Sequence, residues 1–187
     1  YQAYGGFASY AVAPMDSVAL KPENFTFDQA CNFAGNFETA YHCLIDCAEL
    51  KAGETVLIHG ATGATGLAAV QIAKIIGAKV IATGRSPAKL EKLRDFGADH
   101  LLCIRDDEAE SGIRRFRDDV KALTNGLGAD VVYDAVGGAI SLESLRCVAF
   151  GARFLIVGWA STPLVAKGRG GRGAPNANQL PTNLIMM

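Results

Sequence analysis

Thr55-Val-Leu-Ile-His59, then Gly60-Ala-Thr-Gly63-Ala-Thr-Gly66, then Leu67-Ala-Ala-Val-Gln-Ile-Ala-Lys-Ile-Ile76 carry the fold of this chain. The first piece is a short continuous apolar run, as expected of a strand buried on both faces of a parallel sheet. The last piece reads as an apolar helix closed by Gly77. A glycine-rich turn joins them. Downstream the same alternation repeats. Lys79–Thr83 is a second strand, and Pro87 opens a helix through Phe96 with Ser86 as its cap and Gly97 as its stop. His100–Ile104 is a third strand, followed by a helix over Glu110–Leu123. Ala129–Asp134 is a fourth strand, Ile140–Val148 a helix and Arg153–Val157 a fifth strand. Strands alternating with helices at this pitch predict βαβ units. With right-handed crossovers they make an α/β, doubly wound parallel sheet.

Upstream the rhythm differs. Phe7–Ala13 alternates like one strand, closed by Pro14, and a small-residue helix runs from Asp28 to about Gly35. A second helix is expected from Glu38 to Leu50, with Lys51-Ala-Gly53-Glu54 as its exit turn. One strand and two helices cannot bury a core of their own, so the chain divides into residues 1–50 and 51–187. The chain opens at Tyr1 without Met and stops inside an apolar run, Asn183–Met187. We therefore expect a piece of a longer protein.

Composition narrows the function classes. The 187 residues are 50% hydrophobic and 20% charged, with a formal net charge of −1. That excludes collagen, bulk disorder and a highly charged tail, and no basic surplus points to nucleic acid. No apolar run reaches the ~18 residues of a membrane span. The five cysteines, Cys31, Cys43, Cys47, Cys103 and Cys147, form no CxxC pair and no secreted disulfide framework. A reducing, cytoplasmic setting follows as the default, with no metal implied. Cys43 and Cys47, four apart on the second helix, are expected to pack as small hydrophobes.

The glycine turn follows a strand and opens a helix, which is the context of dinucleotide binding. On that pattern Ala61 serves the tight first turn, Gly63 admits a pyrophosphate to the backbone and Gly66 lets the helix pack on the strand. Gly60, Ala64 and Thr65 complete the cradle, with the helix N-terminus facing the phosphates. An NAD site places Asp or Glu at the end of the second strand. Here the strand ends Ala82-Thr83-Gly84-Arg85-Ser86, with no acid. Gly84 gives room, Arg85 can fork onto a 2′-phosphate, Ser86 can donate a hydrogen bond and Lys89 adds a second cation. The expected cofactor is NADPH.

Thr55–Lys74, Gly97-Ala-Asp-His100, Asp130-Val-Val-Tyr-Asp-Ala-Val-Gly-Gly138 and Ser144-Leu-Arg-Cys147 together resemble the zinc-free quinone oxidoreductases of the medium-chain dehydrogenase/reductase superfamily. The resemblance implies NADPH-dependent hydride transfer to a quinone or an activated C=C bond of an α,β-unsaturated carbonyl, in a homodimer. It implies a Rossmann domain over 51–187 and, in residues 1–50, the end of a GroES-like substrate domain. A sixth strand would lie just beyond Met187. By the same resemblance Thr39 lies near the nicotinamide, Ala135-Val136-Gly137 lines its face, and Gly158-Trp159-Ala160 lies beside it. The chain departs from the family in having Ile104, where a Tyr is common, before Arg105. The Lys167–Gly173 linker, rich in Gly and Arg, reads as a flexible surface connection. Tyr41, Tyr133 and Asp134 are candidates for a proton donor by residue type only. Other readings are reduction of an enoyl-CoA-type thioester, an NADPH sensor without turnover, and an RNA contact through the linker.

Overall fold

The computed structural model describes residues 8–158 and residue 160. Phe7, Trp159, the Lys167–Gly173 linker and the Asn183–Met187 end lie outside the described residues. The chain divides into two compact units, Tyr1–Ala34 and Gly35–Met187.

In the first unit a 3₁₀ turn, Met15–Ser17, follows Pro14. The strand expected over Phe7–Ala13 is absent from its described part, residues 8–13. Alternation alone does not make a strand, because the backbone donors and acceptors need a neighbour. No described strand pairs with this segment, and Tyr10 and Val12 stand exposed. Helix α1 spans Phe27–Tyr41 in one piece, where two helices were expected. Its start is a reciprocal capping box: Gln29 N–H donates to Thr26 Oγ1 (3.2 Å) and Thr26 N–H to Gln29 Oε1 (2.9 Å). Gly35, read as its end, does not adopt the left-handed conformation that stops a helix. A π-helical turn, His42–Cys47, continues the chain.

Among its described residues the second unit holds five parallel strands: β1 Thr55–Ile58, β2 Lys79–Gly84, β3 His100–Cys103, β4 Ala129–Asp134 and β5 Val148–Ile156. Their order is β3-β2-β1-β4-β5, the doubly wound topology, with its switch point between β1 and β4. Helices α2 Ala64–Ile76, α3 Pro87–Glu91, α4 Arg117–Leu123 and α5 Ala139–Ser144 connect them. Side chains alternate between two cores. Val56, Ile58, Val80, Ala82, Val131 and Tyr133 face α2 and α3. Leu57, Ile81 and Val132 face the other way, toward Phe116, Val120 and Ile140. Each fully buried aliphatic contributes about 1.5–3 kcal/mol. Among the described residues no helix is long and apolar enough to cross a membrane.

Several boundaries depart from expectation for local reasons. The helix expected from Glu110 starts only at Arg117, because Gly112 turns at φ +68° and Ile113 bridges back to Arg105. Helix α3 is short and tightens into a 3₁₀ turn, Lys92–Arg94, before Gly97 at φ +99°. Ser86 occupies its N-cap position, yet the hydroxyl makes no capping bond. Helix α5 ends at Ser144 rather than Val148, and Val148 begins β5 instead. Ala129 pairs with Val148 but Val131 with Arg153, so β5 bulges around Gly151 at φ +76°.

Arg153 then ties the entrance of the sheet together. Its guanidinium donates to both Glu54 oxygens (2.8 and 2.6 Å) and to the Ala48 carbonyl (2.9 Å). The hydrogen bonds from Arg153 hold the Glu54 carboxyl below its ordinary value of 4.5. This contribution is present above that ordinary value and is lost as pH falls through the lower, folded one. Arg153→Met should cost about 1.5–3 kcal/mol, the scale of charge-assisted bonds, in urea denaturation at pH 7, and less at pH 3. Equal losses at both pH values would remove Glu54 from the account.

Candidate functional site

The carboxyl ends of the strands at the switch point form one continuous rim. β1 runs into the glycine turn, and the residue that turns it is Gly60, at φ +64°. The tight turn was expected at Ala61; that residue has ordinary backbone geometry and is fully buried, its N–H bonded to Thr83 O (3.1 Å). Gly66 fills its expected role. A β-carbon there would run into the Gly60 carbonyl oxygen and stand 2.7 Å from Ala61 Cα. Only glycine lets α2 start this close to β1.

Gly63 and Ala64 are exposed, and Gly63 is the N-cap of α2 with no side chain to satisfy the helix start. The first-turn N–H groups of Ala64, Thr65 and Gly66 therefore lack intrahelical acceptors, at the positive end of a four-turn dipole. Thr65 Oγ1 donates to Asn36 Oδ1 (2.8 Å), which ties α1 to this turn. Thr39, one turn beyond Asn36, is exposed and donates its hydroxyl to Gly35 O (2.7 Å). Sequence reasoning missed Asn36, since nothing local marks a contact across this span.

Val136 closes the rim on the β4 side: a β-carbon at Gly60 would lie 3.2 Å from Val136 Cγ2. Beyond it, a β-carbon at Gly158 would lie 3.0 Å from Ala135 O, so β4 and β5 abut closely where they leave the sheet. Ala160 is exposed just past this point. Asp134 holds the β4 turn. Its carboxylate accepts from the N–H groups of Val136 (2.8 Å) and Gly137 (2.9 Å) and from Ser141 Oγ. With both oxygens committed and 2% exposed, Asp134 is a turn-holder. Tyr133 is fully buried and its hydroxyl has no partner among the described residues. Burial pushes that phenol well above its ordinary value, and enclosure keeps it from any substrate. Tyr41 is exposed, beside the π-helical turn.

On the β2 side Gly84 is buried, and the space a side chain would take is filled by Leu90 Cδ2 (3.1 Å) and Thr62 Cγ2 (3.4 Å). Glycine here serves close packing more than open room. Arg85 and Lys89 are exposed and Ser86 is half-buried. A third cation comes from the end of β3. Arg105 grips Asp107 through Nε (2.8 Å to each oxygen), and this bond, with Arg85 contributing its charge, holds the Asp107 carboxyl low. Beneath the rim lies a group that sequence reasoning did not find. His59 is fully buried, with Nδ1 2.8 Å from Thr83 Oγ1 and Nε2 2.6 Å from Ser144 Oγ. It links the ends of β1 and β2 to α5.

The sequence profile of a family described as zinc-binding dehydrogenase matches residues 64–174. The chain belongs to this family. Within the medium-chain dehydrogenase/reductase superfamily it is similar to the CurK enoyl reductase, at 34% identity and a TM-score of 0.64, over 73% of this chain and 39% of that one. The mycobacterial protein Rv1454c, solved in complex with NADPH, is 32% identical with a TM-score of 0.73, over 81% of this chain and 45% of that one. The highly reducing polyketide synthase phiA of a fungal species is 33% identical over 186 residues, which is 98% of this chain and 7% of the synthase. The chain therefore spans a small part of such synthases and less than half of these solved relatives. Among the described residues no group of three or more His, Cys, Asp or Glu is placed so that it could hold a metal ion.

Proposed function

We propose that this chain is the cofactor-binding part of an NADPH-dependent enoyl reductase acting on an α,β-unsaturated thioester. The observation that carries the cofactor is the rim itself, an uncapped helix start at the switch point with exposed Arg85 where an NAD site has a carboxylate. A dinucleotide fits the cradle, because Gly63 and Ala64 leave the backbone open where a pyrophosphate would lie. Ala64, Thr65 and Gly66 would hold the pyrophosphate through their N–H groups. Arg85, Ser86 and Lys89 would hold the 2′-phosphate. Val136, Gly158, Ala160 and Thr39 would border the nicotinamide, whose bound form supplies a hydride for the acceptor. Asp134 acts indirectly by fixing the Val136–Gly137 turn. The substrate class rests on the enoyl reductases and polyketide synthases among the relatives, which favour an enoyl thioester over the quinone that the sequence resemblance put first.

Arg85→Ala should weaken NADPH binding by about 1.5–3 kcal/mol, the scale of a charge-assisted hydrogen bond, and leave NADH nearly unchanged. Fluorescence titration with both cofactors reads this directly. Equal affinity of the parent chain for NADPH and NADH would end the 2′-phosphate reading. Turnover of NADPH by the whole protein with a crotonyl thioester and with a quinone separates the two substrate classes. Faster oxidation by the quinone would overturn the enoyl assignment.

A further inference from the structure

The π-helical turn His42–Cys47 carries a side-chain cluster that the cofactor rim does not use. In an α-helix residues i and i+5 point to different sides; the wider π turn brings i+4 and i+5 to either side of residue i, and such turns concentrate at functional sites. His42 accordingly stands over both Asp46 and Cys47. Its Nδ1 lies 3.0 Å from Asp46 Oδ2 and its Nε2 3.5 Å from Cys47 Sγ. His42, Asp46 and Cys47 are all exposed. The chain just beyond them, at Ala48, is bound to Arg153 and through it to Glu54, which precedes β1.

The order carboxylate, imidazole, thiol has a chemical consequence. With Nδ1–H donated to Asp46, the imidazole keeps the tautomer whose Nε2 lone pair faces the thiol, and an adjacent base is what activates a cysteine nucleophile. Cys43, on the same turn, is half-buried, and burial pushes its thiol up. Cys47 is therefore the nucleophile of the turn. We propose that Cys47, with His42 as general base and Asp46 as its positioning residue, is a covalent modification site for small α,β-unsaturated carbonyl compounds.

The step balances without a co-reactant. As the sulfur forms a bond to the β-carbon, His42 Nε2 takes the thiol proton. The electron pair of the C=C bond moves toward the carbonyl, and the enolate then takes that proton back at its α-carbon. The product is a thioether, nothing leaves, and no oxidant or reductant is consumed. Addition fits this cluster better than displacement because it returns the imidazole to its starting form.

Acrylamide is the probe, with peptide mass mapping of each cysteine over time. Cys31 is the internal comparator, exposed and, among the described residues, bonded to the Asp28 carbonyl and Asn32 and not to an imidazole. Cys47 should react about tenfold faster than Cys31 at pH 7, and His42→Gln should bring it down to the Cys31 rate without changing Cys31. Imidazole added to His42→Ala should restore part of the loss, which a merely structural role would not allow. Asp46→Asn should slow Cys47 by about threefold. The buried Cys147 reports unfolding of any variant, because it reacts only when the core opens. If Cys47 of the parent chain reacts no faster than Cys31, or if folded His42→Gln leaves its rate unchanged, the proposal falls.

Discussion

Gly66→Ala is expected to cost about 3 kcal/mol or more, although it adds a single methyl group. The added carbon would meet the Gly60 carbonyl oxygen, Ala61 Cα at 2.7 Å and the Gly60 carbonyl carbon at 2.9 Å. All three are backbone atoms, so no side chain can swing aside. Relief requires α2 to back away from β1, and α2 buries Ala68, Ala69 and Ala73 against the sheet. Overpacking ordinarily costs about 1–3 kcal/mol, and a clash with fixed backbone belongs at or beyond the upper end. Gly63→Ala is the contrasting variant. Its β-carbon would stand 3.3 Å from Gly60 O, tight but not prohibitive, on an exposed residue. It should change stability by under about 1 kcal/mol, since it sits outside the packed core. Its effect should appear in NADPH titration instead. Urea denaturation of both variants separates packing from binding. A Gly66→Ala chain as stable as its parent would mean the helix does not start this close to the strand.

The centres of β1, β2 and β4 were legible because each is buried on both faces, which leaves a continuous apolar run in the sequence; β3 and β5, only partly buried, were legible from the repeating strand–helix alternation. Their ends were less so. Val148 reads as helical by pattern, yet pairing with Ala129 recruits it to β5, and only the partner strand decides that. The Phe7–Ala13 alternation shows the reverse, a strand pattern with no described partner. At the site, the glycines are visible because their spacing is local. Gly60 was passed over for Ala61 because the pattern assigns positions by count, whereas the chain turns at the residue able to take positive φ. The links of Thr65 to Asn36, of Arg105 to Asp107 beside Arg85, and of His59 to Ser144 leave no periodic trace. Each depends on which strand ends the topology sets side by side.

His59 offers the clearest acid-dependent behaviour of the fold. Ser144 donates its hydroxyl to Ile140 O (2.7 Å), so its remaining lone pairs accept from Nε2–H, and Nδ1 is left to accept from Thr83. The imidazole is thus satisfied while neutral. Burial pushes its pKa from 6.5 down to about 4, against the opposing pull of the Asp134 charge. Between those values the unfolded chain binds a proton that the folded chain refuses. Stability should therefore fall as pH drops from 6.5 toward 4, by up to ~1.4 kcal/mol per unit and about 3 kcal/mol in all. Below that range this group adds no further loss, and above it the contribution is complete. The Glu54 pair acts lower, its loss beginning only below the ordinary carboxyl value of 4.5, at the acid end of the histidine window. His59→Gln should lower stability at pH 7 by about 2 kcal/mol, the cost of leaving Thr83 or Ser144 buried with a poorer partner. Its stability should nevertheless change little between pH 6.5 and 4.5, because no group in that place titrates. Urea denaturation of both chains at pH 7, 5.5 and 4.5 gives the comparison. Parallel curves would place the acid sensitivity elsewhere; converging ones would show that the histidine under the rim, by staying neutral, holds β1, β2 and α5 in register beneath the glycine turn.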